Sequence, residues 1–203
     1  ILKQEKLIKE WKLGSNKFTI LMPGRLTPWK GQEKFIESLN ILIEDYNFIN
    51  FQAIILGSDQ GRTVYKKKLI NLVERYKLNK KIKFISHCKE MPLAYSLADV
   101  VVSASIEPEA FGRVAVEAQS MSKPIIASNI GGSNETILNK KSGFLYQFDD
   151  PRELAKSLNT VIQLTEDELK VMGNEGRKNI TRKFDVETMC DTNLNEYKKL
   201  LKN

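Results

Sequence analysis

With 203 residues, 41% of them apolar, and a formal charge of +7, the chain can bury one substantial core and carries an excess of cations. The charge favours anionic partners, from nucleotide phosphates to membrane surfaces. The sequence has no helix-turn-helix signature, zinc-ligand spacing or RNP-like aromatic motif, so nucleic acid is not an expected partner.

Residues 1–13 read as a short helix with Leu2, Leu7, Ile8 and Trp11 on one side, closed by Gly14-Ser15-Asn16. The expected division is residues 1–16 as a linker or helix from a missing N-terminal domain, then one domain over 17–203. The apolar run 18–22 predicts a strand that enters the loop Pro23-Gly24-Arg25-Leu26-Thr27-Pro28-Trp29-Lys30-Gly31, and Phe35, Ile36, Leu39 and Leu42 predict the following helix. Strand, glycine-containing loop and helix form the layout of a phosphate-binding βα unit. The pattern repeats: strands at 51–56, 82–85, 100–104, 124–128 and 143–146, and helices at 64–76, 91–97, 111–121 and 134–138. Three further helices follow at 152–164, 166–183 and 186–201, with Asp150-Pro151 and Thr165-Glu166-Asp167 as start signals for the first two. Short apolar strands alternating with helices predict an α/β, doubly wound parallel sheet of Rossmann-like type.

Ligands of such folds bind beyond the carboxyl ends of the strands. Gly24-Arg25, Gly57-Ser58, Ser86-His87, residues 105–112 and residues 129–132 all fall there, so the distinctive side chains share one rim. Glu109 and Glu117 are set eight positions apart around Phe111-Gly112. A helix starting near Phe111 leaves Glu109 in the preceding loop and puts Glu117 about 9 Å along the axis. Its N-terminus suits a phosphate, and the carboxylates suit hydroxyl groups. Arg25 and Lys30 flank a loop held by Gly24, Pro28 and Gly31, where two cations can neutralise a diphosphate without a metal. Read alone they are ordinary solvated charges, since the loop matches neither the Walker pattern nor Gly-x-Gly-x-x-Gly. No metal site is expected, because no Asp-x-Asp triplet occurs. Cys88 and Cys190 form neither a disulfide framework nor a metal set, and a reducing cytosol is expected.

Taken in order, Gly24-Arg25-x4-Lys30-Gly31, Glu109-x-Phe111-Gly112-x4-Glu117-Ala118, Pro124-Ile125-Ile126-Ala127-Ser128, Gly131-Gly132-x-x-Glu135 and Ser142-Gly143 resemble the C-terminal, donor-binding domain of retaining glycosyltransferases of family 4, one half of a GT-B fold. The resemblance spans residues 17–164. It implies a donor of the UDP-, GDP- or ADP-sugar type as substrate, no separate cofactor, and a glycan or lipid-linked saccharide as acceptor. Arg25 and Lys30 are then the diphosphate pair, which stabilises the leaving nucleotide electrostatically. Glu109 meets hydroxyls of the transferred sugar, and the backbone at Ala110, Phe111 and Gly112 lines sugar and phosphate. Glu117 accepts from the ribose diol beside an apolar wall of Val114 and Ala118. Gly57, His87 and Cys88 frame the nucleobase, with His87 read as a base neighbour and Cys88 as a packing residue. Trp29 is assigned to packing, Glu135 to capping or ligand contact, and Ser122 stands where the family usually has glycine.

The resemblance further implies that the N-terminal domain selects the acceptor, that helix 186–201 crosses back toward it, that the isolated chain transfers nothing, and that the complete enzyme is cytoplasmic, with peripheral contact at the inner membrane face. Two rival readings stay open from sequence: a nucleotide-sugar epimerase or phosphorylase of the same fold, and a non-catalytic basic binding module.

Overall fold

The computed structural model describes residues 2–201. Ile1, where the first helix is expected to begin, and the last two residues of the expected domain lie outside the described residues. The helix α1 (Leu2–Glu10) precedes strand β1 (Phe18–Pro23), a 3-10 turn (Pro28–Lys30), α2 (Gln32–Glu44), β2 (Phe51–Leu56), α3 (Thr63–Arg75) and β3 (Ile82–Ile85). Then come α4 (Met91–Ser96), β4 (Val100–Ser103), α5 (Arg113–Ser120), β5 (Ile125–Ser128), α6 (Ser133–Thr136) and β6 (Gly143–Tyr146). The chain closes with α7 (Pro151–Ile162), α8 (Glu166–Lys183) and α9 (Val186–Leu200).

All six strands pair in parallel in the order β3-β2-β1-β4-β5-β6. The order reverses between β1 and β4, and the crevice at that switch point is where doubly wound sheets take ligands. Side chains alternate across each strand and both faces are covered. Ile20, Met22, Phe51, Ala53, Ile55, Val100, Val102 and Ile126 join one core cluster with Phe35 and Leu39 of α2, Leu69 of α3 and Leu158 of α7. Leu21, Ile54, Val101, Ile125 and Ala127 join the other, with Leu7 of α1, Trp11, Tyr95 of α4, and Ala115 and Ala118 of α5. The near-continuous apolar runs thus feed two cores rather than one.

Helix starts follow local chemistry. The Asp150 carboxylate accepts from the N–H groups of Arg152 and Glu153, and Thr165 with Glu168 completes a reciprocal capping box. The start of α5 differs from expectation: it begins at Arg113 rather than Phe111, because Gly112 takes a left-handed conformation (φ 73°) and turns the chain first. Glu117 therefore lies about 6 Å along the axis from the first helical residue, still on the second turn.

Within the segment expected as a linker or helix, α1 and Trp11 dock on the domain. Leu7 and Trp11 are buried, Gln4 donates to Ser96 Oγ at 2.8 Å, and Lys3 pairs with Glu90 at 3.2 Å. At the other end α9 buries none of its side chains, and Val186, Met189, Tyr197 and Leu200 are exposed. Among the described residues no helix is long and apolar enough to cross a membrane.

Candidate functional site

A cleft of about 820 Å³ opens over the carboxyl ends of β1, β2, β3 and β4. Gly24, Arg25, Lys30, Gly57, His87, Cys88, Glu109, Ala110, Phe111, Gly112, Val114 and Glu117 all line it. The loop 129–132 does not, although it ends a strand on the same rim; it packs behind the wall. Ala118 points into the core with no exposed surface, so of the two residues expected beside a ribose only Val114 faces the cleft. Glu135 is exposed in the first turn of α6 and outside the cleft.

The cationic wall is built by the β1–α2 loop. Gly31 has φ 75°, and a β-carbon there would stand 1.8 Å from the carbonyl oxygen of Ala104, so only glycine lets this loop lie against the end of β4. Ile106 N–H donates to Trp29 O at 2.8 Å across the same junction. Buried Gln32 donates to Arg25 O at 2.8 Å and accepts from Tyr65 OH at 3.2 Å, which fixes the loop from below. Above it, Trp29 lies 4.4 Å from Lys30 Nζ and 5.9 Å from the Arg25 guanidinium, measured to the ring centroid. Trp29 thus holds both cations over its ring face and lines the cleft, a role that packing alone did not suggest. Arg25 is exposed; Lys30 is mostly covered.

The acidic wall is built by the β4–α5 loop. One Glu109 oxygen accepts from the hydroxyl of buried Ser105, and the other pairs with Lys30 Nζ at 2.8 Å. The loop's backbone is braced from behind: Gly132 N–H donates to Glu109 O at 2.8 Å, and a β-carbon on Gly132 would stand 2.7 Å from the Phe111 carbonyl. Gly131 has φ 56° and the same tight fit, 2.5 Å from Glu109 O. Phe111, 43% exposed, leans on Phe184 at the end of α8, with centroids 5.7 Å apart. The first turn of α5 lines the cleft with no side chain capping it, which leaves N–H donors and the positive dipole end for an anion.

Tyr95 is the residue that sequence reasoning missed. It is 1% exposed, reaches the cleft floor from α4, and donates through its hydroxyl to Glu117 Oε2 at 2.7 Å. Burial, then the adjacent Glu117 charge, pushes the phenol well above its ordinary pKa, so it remains a donor at physiological pH. No local signal marks it, because a tyrosine in a short helix is ordinarily a core residue. Among the described residues Glu117 Oε1 has no hydrogen-bond or ion-pair partner, so one oxygen is held and the other is available. His87 is exposed on the far rim. Cys88 packs against the second core cluster, its thiol donates to Glu90 O at 3.5 Å, and burial raises its pKa, the opposite of what a nucleophile needs.

Chemically, the cleft pairs an arginine and a lysine on one wall with two oriented carboxylates on the other, over a helix N-terminus. That set suits an elongated ligand with an anionic middle and hydroxyl-bearing ends. Comparison with known proteins gives relatives with this architecture. The chain is 26% identical over 196 residues to the capsular polysaccharide biosynthesis glycosyltransferase CapM of Staphylococcus aureus, covering 93% of this chain and 50% of that protein. It superimposes on the crystal structure of a glycosyltransferase from Rickettsia africae with a TM-score of 0.92 and 33% identity, covering 100% of this chain and 52% of the other. It also matches Anabaena Alr3699/HepE in complex with UDP-glucose, with a TM-score of 0.87 and 28% identity, covering 98% of this chain and 53% of that one. The chain therefore spans about half the length of these relatives. The family model for glycosyl transferases group 1 matches residues 3–179, the whole sheet and the helices that carry the cleft, and the chain belongs to that family.

Proposed function

We propose that this chain is the C-terminal, donor-binding half of a retaining glycosyltransferase of the family 4 type, which moves a sugar from a nucleoside diphosphate to a glycan or lipid-linked saccharide. The observation that carries the reading is the convergence of these groups in one cleft: His87 and Cys88 for a base, Glu117 Oε1 for a ribose hydroxyl, Arg25, Lys30 and the α5 N-terminus for a diphosphate, and Glu109 for the sugar. The cations stabilise negative charge as the nucleotide leaves, and they do so best where the surrounding cleft is partly closed to water. The UDP-glucose held by the Anabaena neighbour supports a nucleotide sugar as the ligand class.

The missing half supplies the acceptor site and closes over the cleft, and the exposed apolar residues of α9 support a contact with it. Residues 1–16 lead in from that half and are anchored here by Leu7 and Trp11. The enzyme works at the cytoplasmic face of the membrane, a reading supported by the net charge of +7. Calorimetric titration of the chain with UDP, GDP and ADP tests the donor site. One nucleotide is expected to bind in preference to the others, and Glu117→Gln, which keeps an acceptor for Tyr95 but loses a charged oxygen, weakens it about tenfold. Absence of saturable binding for all three nucleotides overturns the reading.

A further inference from the structure

Lys30 and Glu109 come from opposite walls of the cleft and meet at 2.8 Å, with side chains only 12% and 19% exposed. Neither is loosely held. Lys30 lies over the Trp29 ring at 4.4 Å, and the second oxygen of Glu109 accepts from Ser105, itself 4% exposed. The carboxylate therefore stands beside the cation that a diphosphate must use. A phosphate brought to Lys30 has two courses. It either takes the ammonium from Glu109, leaving a mostly covered carboxylate with one hydroxyl donor, or shares the ammonium and sits close to a like charge. Both are unfavourable, and more so in a cleft than in open water. A sugar attached to the diphosphate changes this balance, because its hydroxyls donate to the carboxylate that Lys30 releases.

Resting on the donor-site reading above, we infer that the Lys30–Glu109 pair discriminates against nucleoside diphosphate that carries no sugar. The pair penalises a bare diphosphate and is compensated only by the complete donor, so the spent nucleotide is held less tightly than the two cations alone would hold it. Glu109 is then a selectivity element against the product as well as a sugar contact. Arg25, exposed and without a carboxylate partner among the described ion pairs, carries no such penalty. This places the discrimination on one of the two cations.

The test compares matched ligands on one variant. Affinities of the wild-type chain and Glu109→Gln are measured by calorimetry for UDP against UDP-glucose, with GDP and GDP-mannose, and ADP and ADP-glucose, run in parallel. Glutamine keeps the shape and the Ser105 contact and removes the charge. For whichever nucleotide the wild type binds, Glu109→Gln is expected to bind the bare diphosphate about fivefold more tightly, and the sugar-bearing ligand no more tightly than before. A gain of affinity cannot come from misfolding. If the glutamine variant does not fold by circular dichroism, Glu109→Ala carries the same comparison. Unchanged or weaker binding of the bare diphosphate by the folded variant overturns the selectivity role and leaves the donor site standing. A wild type that binds none of the six ligands overturns both.

Discussion

The two walls of the cleft are braced by different means. The cationic wall is a single loop braced by its immediate neighbours: Gln32 in the next helix, Trp29 between the two cations, and Gly31 against the end of β4. The acidic wall is braced by elements that come later in the chain, Gly131 and Gly132 at the start of α6 and Phe184 at the end of α8. Behind it, α8 itself is seated by Gly173, where a β-carbon would stand 1.9 Å from Ser122 O, and by Asn179, which donates to Thr136 O at 3.1 Å. The difference teaches that changes in α6 and α8 should reach the carboxylates before the cations, and that the contact between β1–α2 loop and β4 is where the two walls are tied together.

That contact is the place to break the comparison most completely. Gly31→Ala adds left-handed strain and a clash with Ala104, for an expected loss of about 3 kcal/mol of stability and loss of ligand binding to both walls, read by urea unfolding and calorimetry. The double change Arg25→Ala with Lys30→Ala removes both cations of one wall and leaves Glu109 without its ion-pair partner. It should weaken nucleoside diphosphate binding by about 30-fold, or roughly 2 kcal/mol, with much of the salt dependence lost. An unchanged affinity would remove the diphosphate assignment. Gly131→Ala should sharpen the comparison. It costs about 2 kcal/mol of stability and displaces the Glu109 backbone, so sugar-bearing ligand weakens more than bare diphosphate. Equal losses for the two ligands would mean that the walls move as one. The smallest effect is expected at Ser122, whose φ of 53° is the conformation glycine prefers. Ser122→Gly relieves that strain but raises the entropy of the unfolded chain, so the midpoint of urea unfolding should shift by no more than about 0.5 kcal/mol in equivalent stability.

Ser122 also illustrates how the sequence can be read. In sequence it stands where the resembling family usually has glycine; in the structure it is a strained turn that Gly173 presses against. Strands 51–56, 82–85 and 143–146 and helix 166–183 fall where their apolar runs and caps place them, because strand alternation and N-capping are local effects. Convergence of the rim residues also follows from strand polarity, since every loop after a parallel strand opens on one side. The helix start at Arg113 was misjudged because Phe111 is an acceptable helical residue and the turn is made by Gly112.

What the sequence by itself determined was the doubly wound sheet, the edge on which the cleft opens and the inventory of charges along it. Only the tertiary structure decided which charges meet. Lys30 faces Glu109, Tyr95 holds one oxygen of Glu117, and the apolar ring of Trp29 carries two cations. The physical reason is range. Periodicity and capping act within a few residues, whereas a 2.8 Å ion pair between two loops depends on how closely the β1–α2 loop approaches the end of β4, and that approach is set by a glycine, Gly31, whose missing side chain no local pattern explains.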